Sequence, residues 1–238
     1  MHTIWFITGT GSGLGEALKN LLTGIPNHFV YGLSRRELPD AANYKHIAID
    51  LSQQQPVLDF EFPEIAEGFR VVLVNNAAQL GQILPIGGLD DLDIIHTCFL
   101  NAIAPLILSN KFLHAYHTQA KETVIINLSS GAATHPYDGW GLYCSTKAAL
   151  QMQAQVMHAE AITQKHATRI YAFAPGVLQT NMQAEIRGAD SEHFSRKQKF
   201  IDLYAKGALV EPLMAAKDIL KLVEHPQLYK ECIYRFPL

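Results

Sequence analysis

Short apolar runs rich in β-branched and aromatic residues recur along the chain: Thr3 to Ile7, His28 to Leu33, Lys45 to Ile49, Arg70 to Asn75, Thr123 to Leu128, Arg169 to Phe173 and Cys232 to Phe236. Each is strand-sized. The unbroken Val71-Val72-Leu73-Val74 and Val124-Ile125-Ile126 suit strands buried on both faces, as in a parallel sheet. Helical patterning fills most of the intervals. Glu16 to Leu22 follows the first strand, and an apolar stretch from about Leu92 to Ala120 follows the fourth, with a bend or reset expected near Pro105. A long helix from Gly141 to about Lys165 follows the fifth. Strands two and three stand only about a dozen residues apart, which is tight for a crossover helix, so the helix between them should be vestigial. Residues Gln183 to Lys206 are charged and show no clear pattern; they read either as a functional loop over a site or as a surface excursion.

The first strand runs directly into Thr8-Gly9-Thr10-Gly11-Ser12-Gly13-Leu14-Gly15 and then into the first helix. Strand, glycine-rich turn and helix open a βαβ nucleotide-binding unit, in which glycines turn the chain tightly and let a pyrophosphate approach the helix N-terminus. The spacing Gly9-x-x-x-Gly13-x-Gly15 differs from the G-x-G-x-x-G fingerprint, and no Gly-Lys-Ser/Thr follows, so it is not a P-loop. With strand and helix alternating and no repeat or linker tract, the expected architecture is α/β: a single-domain Rossmann fold over residues 1–238 with a doubly wound parallel sheet of about seven strands.

Composition narrows the function. The chain has 238 residues, 48% hydrophobic and 17% charged, with a formal net charge of −3 and scattered Lys and Arg, so no basic face suited to nucleic acid is expected. No apolar run of unbroken sequence approaches the ~18 residues of a membrane helix, and Met1-His2 leads straight into a strand without a signal pattern, so a cytoplasmic protein is expected. Cys98, Cys144 and Cys232 are too scattered for a disulfide framework or thiolate metal site, and His114 with His117 lacks a third ligand at a recognised spacing; no metal is expected.

Tyr143 and Lys147 are spaced to share a helix face, where the ammonium can stabilise a phenolate and make Tyr143 an acid/base group near neutral pH. Ser130 stands thirteen residues upstream of the tyrosine. The glycine turn, Asn75-Asn76-Ala77, Asn101, Ser130, Tyr143 with Lys147, and Pro175-Gly176 come in the order of the short-chain dehydrogenase/reductase family, which the chain resembles over nearly its whole length. Within that family, Gly139 to Cys144, Ala174 to Gln183 and Ala205 to Val210 look most like the sepiapterin reductases and related diketone reductases.

The resemblance implies a carbonyl reductase with a nicotinamide coenzyme. Tyr143 would protonate the developing alkoxide, Ser130 would hold the carbonyl oxygen, Lys147 would lower the Tyr143 pKa and bind the nicotinamide ribose, and Asn101 would hold a water in a proton relay. Gly9, Ser12, Gly13, Leu14 and Gly15 would cradle the pyrophosphate. Asp50 and Leu51 would meet the adenine, Asn76 and Ala77 the adenosine ribose, and Pro175, Gly176, Leu178 and Thr180 the carboxamide. Ala78 stands where the family more often has glycine. At the end of strand two, Ser34-Arg35-Arg36 offers guanidinium groups where an NAD enzyme would place a carboxylate, so NADP(H) is the expected coenzyme. Trp140 and Met182 are the expected substrate contacts, and a homodimer is implied. Sepiapterin reductases place a carboxylate near the chain end for the pterin, whereas this tail carries Arg235, which favours aryl or alkyl diketones; a catalytically silent coenzyme-binding regulator is the alternative from another class.

Overall fold

The computed structural model describes residues 2–164 and 167–238. The chain runs β1 (Thr3–Thr8), α1 (Gly13–Thr23), β2 (His28–Ser34), β3 (Tyr44–Ala48), α2 (Gln54–Asp59) and β4 (Arg70–Asn75). It continues through α3 (Asp91–Cys98), a π-helical turn (Phe99–Ile103), α4 (Ala104–Tyr116), β5 (Glu122–Leu128), α5 (Gly141–Gln164) and β6 (Thr168–Ala174). The last elements are α6 (Asn181–Gly188), α7 (Lys197–Ala205), α8 (Pro212–Glu224) and β7 (Ile233–Arg235). All seven strands pair in parallel in the order β3-β2-β1-β4-β5-β6-β7. This is the doubly wound α/β sheet of a Rossmann fold, with the order reversing between β1 and β4.

The apolar strands explain the layering. Successive side chains point to opposite faces, so Trp5, Ile7, Val72, Val74, Val124 and Ile126 enter one core with Leu14, Leu18 and Leu22 of α1 and Ile219 and Leu222 of α8. Ile4, Phe6, Val71, Leu73 and Ile125 enter the other, against Val57 of α2, Leu108 and Phe112 of α4 and Ala154 of α5. A run without polar alternation has two hydrophobic faces, and both need covering.

One expectation holds and two change. The reset in the helix after β4 falls on the π turn just before Pro105, where the proline at the start of α4 has no N–H to donate. Residues 183–206, expected as a loop without pattern, hold most of α6 and all of α7, whose Ile186 and Phe200 are buried beside Trp140, Tyr143 and Phe194. The continuous helical run Asp91–Tyr116 is, by length and composition, apolar enough to cross a membrane, contrary to the expectation from unbroken runs. Leu108, Phe112 and Tyr116 on its inner side are buried against the sheet, whereas Ile95, Ile103 and Leu106 face outward. The end of α5 near Lys165 lies outside the described residues.

At the opposite edge from the strand C-termini, Glu122 bridges three strands. Its carboxylate accepts from Arg70 Nε and Arg169 Nε, each at 2.6 Å. Arg169 also donates to the Leu222 and Val223 carbonyls, tying α8 to the sheet. Burial alone would push the Glu122 carboxyl up, but the hydrogen bonds and charges of Arg169 and Arg70 outweigh it and hold it below its ordinary 4.5. A folded pKa below the unfolded value adds stability that is present above about 4.5 and lost as pH falls through the folded value. Glu122→Ala is expected to cost about 2–4 kcal/mol at pH 7, since it leaves two part-buried cations unpaired. Urea denaturation checks this, and the deficit should shrink as the pH is lowered toward 3.

Candidate active site

The C-terminal ends of β1 to β6 open on a cleft of about 1140 Å³, the place where open α/β sheets bind ligands. The glycine turn forms its floor. Gly9 and Gly13 have φ of 75° and 57°, a left-handed backbone that costs a side-chain-bearing residue heavily. Gly15 does not line the cleft; a Cβ there would lie 2.2 Å from the Gly9 carbonyl oxygen, so it is the close-packing glycine of the turn. Ser12 precedes α1 in an extended conformation, and its side chain caps no helix amide. The first N–H groups of α1 therefore keep their capacity for an anion, and Ser12, Gly13 and Leu14 line the cleft there. These features fit a dinucleotide pyrophosphate.

The neighbouring strand ends complete that half. Thr8 Oγ1 accepts from the amides of Asn76 and Ala77, both at 2.9 Å, and Asn76 Nδ2 donates to the Thr8 carbonyl at 2.8 Å. The Asn76 side chain is thus a strut beneath the turn, while Ala77 and Ala78 present backbone to the cleft. Asp50 lines the cleft with Leu51 and is oriented by Ser52, whose amide and hydroxyl donate to Oδ1 at 3.0 and 2.7 Å. Ser34, Arg35 and Arg36 stand at the far end, where Arg36 Nη2 donates to the Gly11 carbonyl at 2.7 Å.

The other half holds the chemistry. Tyr143 and Lys147 sit one turn apart on α5, and both line the cleft while nearly buried, at 9% and 3% exposure. Tyr143 hydrogen-bonds the Ser130 side chain. Ser129, the alternative serine, lines the cleft but donates to Gln151 Oε1 at 3.0 Å; Ser130, the partner of the tyrosine, is not among the residues lining the cleft. Burial pushes Tyr143 up to about 12, offset in part by the Ser130 hydrogen bond. Burial likewise pushes Lys147 down to about 8; its Nζ donates to the Leu128 carbonyl at 2.7 Å and lies 5.7 Å from the Tyr143 ring centre. The expectation that Lys147 brings Tyr143 toward neutrality is corrected here: in this site desolvation dominates both groups. The phenol keeps its proton across the physiological range, the state a general acid requires.

Asn101 occupies the π turn and is buried. Its Oδ1 accepts from the Gln79 amide at 3.0 Å, and its Nδ2 donates to the Gln79 carbonyl at 2.8 Å and to Thr146 Oγ1 at 3.1 Å. These bonds clamp the loop after β4 to α5 and use both amide hydrogens, while Oδ1, with one donor, keeps a second acceptor site. Pro175, Leu178, Thr180 and Met182 line the cleft as expected, and Gly176, at φ 80°, makes the turn behind them. Trp140 does not line the cleft: it stacks on Phe194 at 4.9 Å and meets the Tyr143 ring edge-on at 5.6 Å, supporting the tyrosine from behind. Gln79, Leu80, Leu100 and Glu185 are cleft residues that sequence reasoning missed, because ordinary side chains on loops and helices become a wall only through the fold.

Comparison with known proteins agrees with this geometry. A family model described as short chain dehydrogenase matches residues 3–191. The benzil reductase ((S)-benzoin forming) of Bacillus cereus is 36% identical over 232 residues, covering 92% of each chain. The sepiapterin reductase of Mus musculus is 36% identical over 246 residues, covering 92% of this chain and 90% of its own. A Saccharomyces cerevisiae short-chain dehydrogenase/reductase structure superposes with a TM-score of 0.81 at 20% identity, covering 99% and 96% of the two chains. The chain belongs to the short-chain dehydrogenase/reductase family, a class of oxidoreductases that bind a nicotinamide coenzyme.

A buried lysine is a stability burden with a defined pH window. Folding lowers the Lys147 pKa from 10.5 to about 8, so the unfolded chain holds the extra proton between those values. Stability therefore rises with pH from about 8 to 10.5, and the cost is fully present below that window. Lys147→Met is expected to stabilise the protein by about 1–2 kcal/mol at pH 7, after the loss of one hydrogen bond. Denaturation at pH 7 and pH 10 checks it: the gain should shrink at the higher pH, and a destabilised variant at pH 7 would reject the burden.

Proposed function

We propose that this chain reduces a ketone or vicinal diketone to an alcohol, using NADPH as coenzyme and Tyr143 as proton donor. The observation that carries the reading is Tyr143, backed by the Ser130 hydroxyl and one turn from Lys147, in a cleft whose other end carries Ser34, Arg35 and Arg36. NADPH would supply the hydride. Ser130 holds the carbonyl oxygen at the phenol, Tyr143 gives that oxygen its proton, and Lys147, one α5 turn away, faces the negative charge left on the tyrosine. The catalytically silent alternative gives no reason for a protonated phenol to meet a serine hydroxyl and share a cleft with a lysine.

Two similar proteins pull the substrate in different directions. Arg235 of β7 donates to Thr134 Oγ1 at 3.1 Å, on the turn that follows Ser130. A cation there offers no acceptor for the amino and ring N–H groups of a pterin, and an unmade buried hydrogen bond costs about 1–3 kcal/mol. Leu80, Leu100, Leu178 and Met182 contribute apolar side chains to the cleft, which suits an aryl diketone. Following NADPH absorbance, kcat/KM is expected to be higher for benzil than for sepiapterin. Tyr143→Phe should lower benzil turnover by roughly 10²–10⁴-fold, the usual worth of a general acid. Preference for sepiapterin returns the protein to pterin chemistry, and a fully active Tyr143→Phe removes the tyrosine from the mechanism.

The same reading includes a homodimer. Ile103 at the end of the π turn, Leu106 of α4, and Met152 and Val156 of α5 leave an apolar outer face with 45–58% of each residue exposed, more than scattered surface hydrophobics require. Light scattering at micromolar concentration is expected to give twice the 26.4 kDa chain mass. Leu106→Glu with Val156→Glu should return it to the single-chain value, and a wild-type monomer would contradict the pairing.

A further inference from the structure

His46 has no role in the family pattern or in the sequence reading, yet it stands directly behind the arginine end of the cleft. Parallel pairing of β2 and β3 sets Gly32 opposite His46 and Ser34 opposite Ala48, which brings the imidazole to the Ser34 side chain. His46 Nε2 lies 3.1 Å from Ser34 Oγ. The same hydroxyl donates to the Arg36 carbonyl at 3.2 Å. A serine hydroxyl has one proton, so with that proton on Arg36 the Ser34 oxygen can only accept from the imidazole. The contact thus selects the form of His46 that carries hydrogen on Nε2.

The space in front of Ser34 is shaped for a small anion. A Cβ built on Gly11 would lie 3.9 Å from Ser34 Oγ and 4.0 Å from Arg36 Nε, so the hydroxyl and the guanidinium converge on the gap left by the missing side chain. Arg35 lines the cleft beside them. The other polar contact to His46 is Asp40, whose Oδ1 accepts its backbone amide at 2.7 Å and leaves the ring free to act on Ser34.

We infer that His46 is a positioning residue for coenzyme specificity: its Nε2–H, held on Ser34 Oγ, keeps the serine proton turned outward as a donor to the 2′-phosphate of NADPH. In the free protein that proton rests on the Arg36 carbonyl; a phosphate oxygen in the Gly11 gap takes its place. An imidazole with a bare Nε2 would instead draw the serine proton inward and present a lone pair to the phosphate. The inference rests on the NADPH reading above, and the test separates the two.

Dissociation constants for NADPH and NADH, measured by quenching of protein fluorescence, are compared for wild type, His46→Leu and His46→Gln. Wild type is expected to prefer NADPH. His46→Leu should weaken NADPH about 5-fold, the size of one net hydrogen bond, and leave NADH within about 2-fold. Glutamine can place an amide N–H near the position of Nε2 and should recover most of the NADPH affinity, which a merely structural role would not produce. A wild type without preference for NADPH overturns the coenzyme reading itself. A wild type that prefers NADPH, together with a His46→Leu variant that keeps the same ratio or weakens both coenzymes equally, overturns the role of His46 alone. Failure of glutamine to restore the ratio in a folded variant does the same.

Discussion

The site depends on one contact that tolerates nothing larger than hydrogen. A Cβ at Gly15 would lie 2.2 Å from the Gly9 carbonyl oxygen and 2.6 Å from Asn76 Nδ2, so α1 can fold back over the end of β1 only if residue 15 has no side chain. Asn76 and Thr8 lock the same junction from the β4 side, with the Thr8 hydroxyl taking two backbone amides. The result is a turn whose open amides sit at the reversal of strand order, where a ligand can reach six strand ends.

Burial sets the protonation states at the opposite end. Tyr143 rises to about 12 and Lys147 falls to about 8 because burial takes both out of water, Tyr143 against the aromatic group around Trp140. A phenol that keeps its proton and a lysine that gives one up more easily than usual are both consequences of this burial. The stability cost of the lysine and its proposed chemical use have the same origin, a desolvated helix face.

The helices beyond β6 turn this corner into an enclosed site. Ile186 of α6 and Phe200 of α7 pack with Phe194 on Trp140. Asp138 accepts from the Ser195 amide at 2.6 Å and from its hydroxyl at 2.9 Å, which pins the α6–α7 connection to the loop before the catalytic helix. Trp140 therefore acts through Tyr143 instead of touching the cleft, and the wall facing substrate is left to Leu178, Met182 and Glu185.

The sequence by itself determined the layer order and the chemistry-bearing positions. Unbroken apolar strands need cover on both faces, glycines between a strand and a helix suit a tight turn with open amides, and the spacing of Tyr143 and Lys147 puts them on one helix face. The structure decided what depends on distant residues meeting. It closed 183–206 into helices because Ile186 and Phe200 find an aromatic cluster formed by segments far earlier in the chain. It tied the Asn101 amide to Gln79 and Thr146, and raised Tyr143 instead of lowering it, because desolvation is a property of packing and not of spacing. It also brought His46 to Ser34 through strand pairing across twelve residues, a contact that no local pattern encodes, since register between strands is set by the whole sheet.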